Sequence, residues 1–420
     1  MKQYCSVFPL SVLLFISLTT VAAQEKEPKK GWNLGPLPAV GYNSDLGFQY
    51  GALCAFFYYG DGSYFPDYKH KFHIEASQYT KGSGMFHFFY DSKYLIPSVR
   101  FTFAASYLPN KMMYFYGFNG AASPYSDSRS AAFNAIDRKM FRVLADFQGR
   151  ITDRLSWAVG TAFWSYRTGK VTLDQYKDEV TLYELYRESG IISPEEAGGG
   201  SQIEVKTGLV YDTRDHEAAP AKGIWAEAIA YGSPDVIEKN NNAYLKLSAH
   251  FRQYITLVAN RLVFAYHVAY QGTVAGNAPF YVQQNIATLY LRQVNSEGLG
   301  GINTVRGLLY SRMVGDGYIW SNIELRWRLF DFRLFKQSWY FGVNPFFDAG
   351  RVVQPYRLDG MKKAENPLIY SGVNEKMHFS TGLGAKVVMN RNFVVSAEFG
   401  KPLSLGDGKS GLNIGLNYIF

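Results

Sequence analysis

The run Ser321-Asn322-Ile323-Glu324-Leu325-Arg326-Trp327-Arg328-Leu329 alternates polar and apolar residues with period two. Successive side chains on a β-strand point to opposite faces. Asn322, Glu324, Arg326 and Arg328 therefore share one face, and Ile323, Leu325, Trp327 and Leu329 the other. Every charge falls on one side. The pattern recurs in 71–79, where Phe72, Ile74 and Ala76 oppose Lys71, His73, Glu75 and Ser77. In 99–107, Val99, Phe101, Phe103 and Ala105 oppose Arg100, Thr102, Ala104 and Ser106. Leu245, Leu247, Ala249 and Phe251 likewise oppose Lys246, Ser248, His250 and Arg252. A charge facing lipid costs about 2–4 kcal/mol at the bilayer midplane, so an uncharged apolar face backed by a charged one suits a wall between lipid and water. A soluble β-protein would bury the same apolar faces in a core, and the rest of the chain decides between the two.

Met1-Lys2, an apolar stretch from Val7 to Val21 and Val21-Ala22-Ala23 before Gln24 have the three-part form of a secretory signal peptide over 1–23. Export removes Cys5 and leaves Cys54 alone, which rules out an intramolecular disulfide and a cysteine-based zinc site. After the signal no apolar run is long enough for a membrane helix. The aromatic content is nonetheless 17%, with 40 Gly, and Tyr and Trp favour membrane–water interfaces. These properties point to a bacterial outer-membrane barrel. The formal charge of +8 reads as a solvated surface, and nothing resembles a nucleic-acid-binding stripe.

About fifteen strand windows can be placed between Leu46 and Phe420; barrels of this kind close on an even number, so about sixteen antiparallel strands are expected, one of them missed in the first hundred residues. Connections come in two sizes. Short turns include 81–84, 153–154 and 260–261, while long loops cover 108–134, 170–200, 273–317 and 354–376. Leu182, Leu185 and Tyr186 share a helical face, so the second long loop is expected to hold a short helix. Residues 24–43 read as a short periplasmic tail, charged at Glu25–Lys30, and 44–420 as one all-β transmembrane barrel domain.

Four further motifs stand in order. Leu209-Val210-Tyr211-Asp212-Thr213-Arg214-Asp215 is followed by Pro220-Ala221-Lys222-Gly223; Gly300-Gly301 leads to Val305-Arg306-Gly307; Phe346, Asp348 and Gly350 alternate on a strand; and the closing strand ends in Phe420. Together these resemble the BamA/TamA-like outer-membrane assembly barrels, the bacterial surface antigen family, over Leu209–Phe420. The resemblance implies a loop folded into the lumen, with Arg306 meeting Asp348 on the inner wall. A guanidinium fork suits this because it can bind a carboxylate bidentately, and a lumen pair that is partly wet would position the loop more than stabilise it. It also implies a C-terminal assembly signal at Gly415, Tyr418 and Phe420, on a strand whose own alternation sets Leu412, Ile414, Leu416, Tyr418 and Phe420 outward against Asn413, Gly415 and Asn417. Two departures stand out. Leu308 occupies a usually aromatic position, and the stretch before the first strand is too short for the POTRA domains with which relatives capture clients.

Candidate enzyme sites are weaker. Asp212, Arg214, Asp215 and His216 crowd together, but a charged strand end at the periplasmic rim explains them. His70 and His73 fall on opposite strand faces and form no metal pair. Gly298-Leu299-Gly300-Gly301 lacks the context of a dinucleotide fingerprint. Ser248 and His250 share the lumen face without a nucleophile–base arrangement. The expectation is a non-enzymatic barrel without cofactor or metal, set in outer-membrane lipid. Its partners would be barrel assembly machinery subunits or client envelope proteins, and its role accessory to insertion, export or presentation. The alternative is a passive channel or structural barrel.

Overall fold

The computed structural model describes residues 30–43, 47–63, 68–238, 242–289, 294–301, 303–334, 337–389, 393–416 and 418–420. The signal peptide expected over 1–23 lies outside them. The first strands are β1 (Trp32–Asn43), β2 (Gly47–Tyr58), β3 (His70–Tyr79), β4 (Gly84–Ile96), β5 (Val99–Tyr114) and β6 (Ala135–Arg150). There follow β7 (Leu155–Gly169), β8 (Gly199–Asp212), β9 (Gly223–Ser233), β10 (Tyr244–Val258) and β11 (Leu262–Gly276). A small separate hairpin, β12 (Asn285–Leu289) and β13 (Val294–Glu297), interrupts the series. The last strands are β14 (Gly317–Leu334), β15 (Gln337–Gln354), β16 (His378–Met389), β17 (Phe393–Pro402) and β18 (Gly411–Leu416). Apart from β12 and β13, they form one 16-stranded antiparallel sheet in which chain neighbours are sheet neighbours.

Polarity is inverted relative to a soluble sandwich. On β10, Lys246, Ser248, His250 and Arg252 are buried, whereas Leu245, Leu247 and Phe251 are exposed. On β14, Asn322, Glu324 and Arg326 are buried, and Ile323, Leu325 and Trp327 face out. The alternation thus continues as a polar inner wall and an apolar outer band, as lipid outside requires. The sheet curls into a barrel. Phe420, just beyond β18, stacks on Tyr254 of β10 and lies 5.4 Å from His267 of β11, contacts that a flat sheet would place far apart.

The barrel begins earlier than residue 44. Trp32–Asn43, assigned from the sequence to the tail, is β1 and pairs along its whole length with β2. Gly35, Pro36, Pro38 and Gly41 disguise it, because Gly and Pro are depleted in strands. Among the described residues β1 pairs with β2 alone, and an edge strand tolerates missing N–H groups.

Long connections 115–134, 170–198, 277–316 and 355–377 gather at one end of the barrel, while turns 151–154 and 259–261 lie at the other. The tight turn 80–83 falls at the loop end, since each reversal changes the strand direction. Loops are packed rather than splayed. Phe118, Tyr186 and Tyr356, from three connections, meet with ring centroids 5.3 and 4.8 Å apart. Leu182, Ile191, Phe280, Met361 and Ile369 join the same buried apolar cluster. The expected helix spans Leu182–Glu188, its N-terminus closed by a Thr181–Glu184 capping box. The loops therefore form a dome with its own core.

Candidate functional site

Connection 277–316 dips from the dome into the lumen. Thr304 holds the reversal, its hydroxyl accepting the Gly300 N–H at 2.9 Å, and Asn322 of β14 donates to the Thr304 carbonyl at 2.6 Å. Val305 is fully buried against Leu299, Trp320 and Val352. Gly350 makes room for it, because a Cβ there would lie 2.9 Å from a Val305 methyl. Gly307 has φ +86°, and a Cβ would come within 2.5–2.9 Å of the Gly400 and Lys401 backbone. Only glycine lets the loop lie against β17 this closely.

Between these positions Arg306 enters the wall. Its Nε and Nη2 donate to the two oxygens of Asp348 at 2.8 and 2.7 Å, and its backbone N–H reaches Asp348 at 3.0 Å. Nη1 pairs with Glu324 on β14 and with Glu398 on β17 at 3.2 Å. The guanidinium carbon sits 3.7 Å from the Phe346 ring centroid. Arg326 bonds Glu324 at 2.9 Å, and Lys386 pairs with Glu398. Three cations thus face three carboxylates. Arg306, Asp348 and Glu324 are wholly shielded from solvent, so the partly wet pair expected from sequence is a dry network. The surrounding strands and the packed loop exclude water that a bare lumen would admit.

Glu324 is an inward residue of the alternation, and Glu398 and Lys386 stand two strand positions from the buried Ser396 and Val388. Their convergence on Arg306 was not visible, because register between β14 and β17 is a property of the folded sheet. Elsewhere the loop crosses the lumen. Glu297 pairs with Arg138 of β6, Gln283 binds Lys246 of β10 at 2.9 Å, and Asn285 reaches Tyr166 of β7 at 2.5 Å.

The strand–turn residues form a separate unit at the turn end. Arg214 chelates Asp212 at 2.9 and 2.5 Å, donates to the Glu217 carbonyl at 3.1 Å and lies 3.8 Å from the Trp225 ring. Asp215 accepts the Ala221 and Lys222 N–H groups just after Pro220. Gly223, at φ +107°, leaves no space for a Cβ beside the Thr213 carbonyl. These groups close a turn. Among the described residues no three His, Cys, Asp or Glu side chains converge as a metal site.

The end of the sequence departs from its expected outward face. β18 stops at Leu416, leaving Gly415 in the strand, and Tyr418 and Phe420 turn inward. Their rings lie 4.1 and 4.9 Å from the Arg326 guanidinium, which donates to the Phe420 carbonyl at 2.8 Å. Period-two counting fails once the chain leaves the ladder, and the cation on β14 offers these rings a partner that lipid does not.

An Omp85 superfamily domain matches residues 70–420. The chain belongs to the Omp85 superfamily. It is an outer-membrane barrel of that superfamily, and the turn end is accordingly periplasmic. In fold it is similar to BamA from Haemophilus ducreyi lacking POTRA domains 1–3, with a TM-score of 0.57 and 16% identity over 93% of this chain and 70% of that one. CdiB from Escherichia coli superposes with a TM-score of 0.54 at 10% identity, over 94% of this chain and 63% of that chain. No curated protein matches the chain.

Proposed function

We propose that this Omp85 barrel is an accessory factor in the insertion, export or presentation of envelope proteins, working with barrel assembly machinery subunits or client chains. The observation that carries the reading is the lock of connection 277–316 on three strands through Arg306, Asp348, Glu324 and Glu398. A loop seated on β14, β15 and β17 crosses the lumen and ties its position to the last strands of the sheet. That suits a barrel whose wall acts on other chains better than one serving free diffusion.

Copurification from gently solubilised outer membranes tests the proposal. Recovery of assembly subunits or envelope proteins with the barrel is the expected outcome, and recovery of the barrel alone would remove the main support. Planar-bilayer recording tests the passive channel directly. A seated loop predicts small, irregular openings, whereas a large steady conductance from the intact chain would favour the channel.

A further inference from the structure

Two cations stand side by side on the outside of the wall. In the antiparallel pair β6–β7, Lys139 lies directly opposite Arg167. Both are exposed, while their chain neighbours Arg138, Met140 and Tyr166 are buried on the lumen side. Opposed residues of such a pair hold their Cβ atoms about 4.5–5.5 Å apart, a separation at which like charges destabilise the sheet. Neither side chain makes an ion pair or a hydrogen bond among the described residues. Asp137, two positions from Lys139 on the same face, instead accepts the Thr172 hydroxyl at 3.3 Å. The repulsion is therefore uncompensated within the chain.

The place of the pair along the strands gives it a context. Lys139 is the fifth residue of β6 and Arg167 the third from last of β7, so both lie at the loop end, away from the periplasm. Below them the outward face turns apolar, with Phe141, Val143 and Phe147 on β6 and Val159 and Phe163 on β7. The Phe141 and Phe163 rings meet edge-on at 6.2 Å, and Tyr107 of β5 stands opposite Phe141. The two cations thus mark the outer border of the lipid-facing band. Beside them the surface is bare. Gly199 of β8 is directly opposite Arg167, and a Cβ at Gly169 or Gly198 would meet nothing within 4 Å.

From these features we infer that Lys139 and Arg167 form a binding site for the phosphate of an outer-leaflet glycolipid, whose acyl chains lie along Phe141 and Phe163. A dianionic phosphate between the two side chains converts their repulsion into attraction to a shared anion. The Arg167 fork can take two phosphate oxygens and the Lys139 ammonium a third. The bare glycine surface leaves room for a bulky headgroup. A phospholipid of the inner leaflet presents its phosphate at the opposite rim of the barrel. A soluble acidic chain is a poorer match, because the residues just below the pair face hydrocarbon rather than water. The site is independent of the proposed assembly role.

The test uses the full chain in detergent micelles, native mass spectrometry and three probes: lipid A carrying both phosphates, the same lipid with both removed, and inorganic phosphate. The phosphorylated lipid is expected to bind about tenfold tighter than its dephosphorylated form. Lys139→Gln or Arg167→Gln should each reduce that preference about threefold, and the double change should abolish it. Arg150→Gln, which removes an exposed cation at the turn end of β6, should leave it unchanged. Thermal melting gives a second readout. Without lipid the double variant should melt no lower than the wild type, since it loses only a repulsion, and with phosphorylated lipid it should gain less. Equal binding of the two lipids, or an equal loss in Arg150→Gln, would overturn the site. A double variant that melts lower without lipid would make the pair structural and likewise overturn it. Displacement of the lipid by equimolar inorganic phosphate would overturn the glycolipid as its ligand.

Discussion

Arg306 and Asp348 are unequal partners, and this decides what their substitutions should do. Asp348 is served by Arg306 through three hydrogen bonds, while Arg306 also serves Glu324 and Glu398. Arg306→Ala leaves three carboxylates with Arg326 and Lys386 alone in a dry site. Breaking a buried charge pair from one side costs about 3–5 kcal/mol, and this variant should fall in that range. Asp348→Asn leaves the guanidinium with two carboxylates, so the loss should be smaller, about 1–3 kcal/mol. Arg306→Lys should resemble the alanine change more than the wild type, because a point charge cannot span Asp348 and Glu324 together. The readout is protease cleavage within 298–316 in a barrel that still migrates as folded on unheated gels. Equal effects of Arg306→Ala and Asp348→Asn would mean that Glu324 and Glu398 do not share the cation.

Among the elements, the short helix Leu182–Glu188 offers a pH-dependent handle outside the membrane. Glu184 accepts from the Thr181 N–H at 2.9 Å and pairs with Lys170 at 3.0 Å. Burial pushes its carboxyl up, but the bonds from Thr181 and Lys170 outweigh that and hold it below the usual carboxylate range. A depressed carboxyl stabilises the folded state above its unfolded pKa of 4.5, and the contribution is lost as pH falls through the lower folded value. Hydrogen exchange of this helix should accelerate, beyond the intrinsic rate, as pH falls below about 4.5. Glu184→Gln should abolish that step, and its survival in the variant would assign the titration elsewhere. This helix was legible from the spacing of Leu182, Leu185 and Tyr186, as the strands were from one-sided charge. Other elements left no such trace. β1 hides behind Pro36 and Pro38, and the inward turn of Tyr418 and Phe420 follows from a cation on a distant strand. Strand periodicity reports which face a residue takes, never which residues meet across the lumen. Asn322, Glu324 and Arg326 were therefore placed correctly on one face, while Glu398 and Lys386 were absent from the expected site.

At the scale of the whole molecule the barrel and its dome rest on different forces. The wall is held by a continuous ladder of backbone bonds, whereas the dome is held by aromatic packing among loops distant in sequence. Tyr186 sits at the centre of the dome. Its ring meets Phe115 and Phe118 edge-on at 5.6 and 5.3 Å, and its hydroxyl accepts the Phe118 N–H at 3.3 Å. Phe118 in turn packs on Tyr356, and Asn119 next to it bonds the Tyr356 backbone through both side-chain ends at 2.8 and 2.7 Å. The Asn119 N–H reaches the Val314 carbonyl at 2.6 Å, so the outer part of the lumen loop joins the same unit. Deleting a buried aromatic side chain costs about 3–5 kcal/mol, and in Tyr186→Ala that loss falls on a structure with no ladder of its own. External protease should then open 115–134, 170–198 and 355–377 together, because the three share one core. Folded migration on unheated gels should persist, and so should protection at Arg306, which is anchored below the dome by its carboxylates. Cleavage confined to 170–198 would show the loops to be independent, and loss of folded migration would show that the wall depends on the dome.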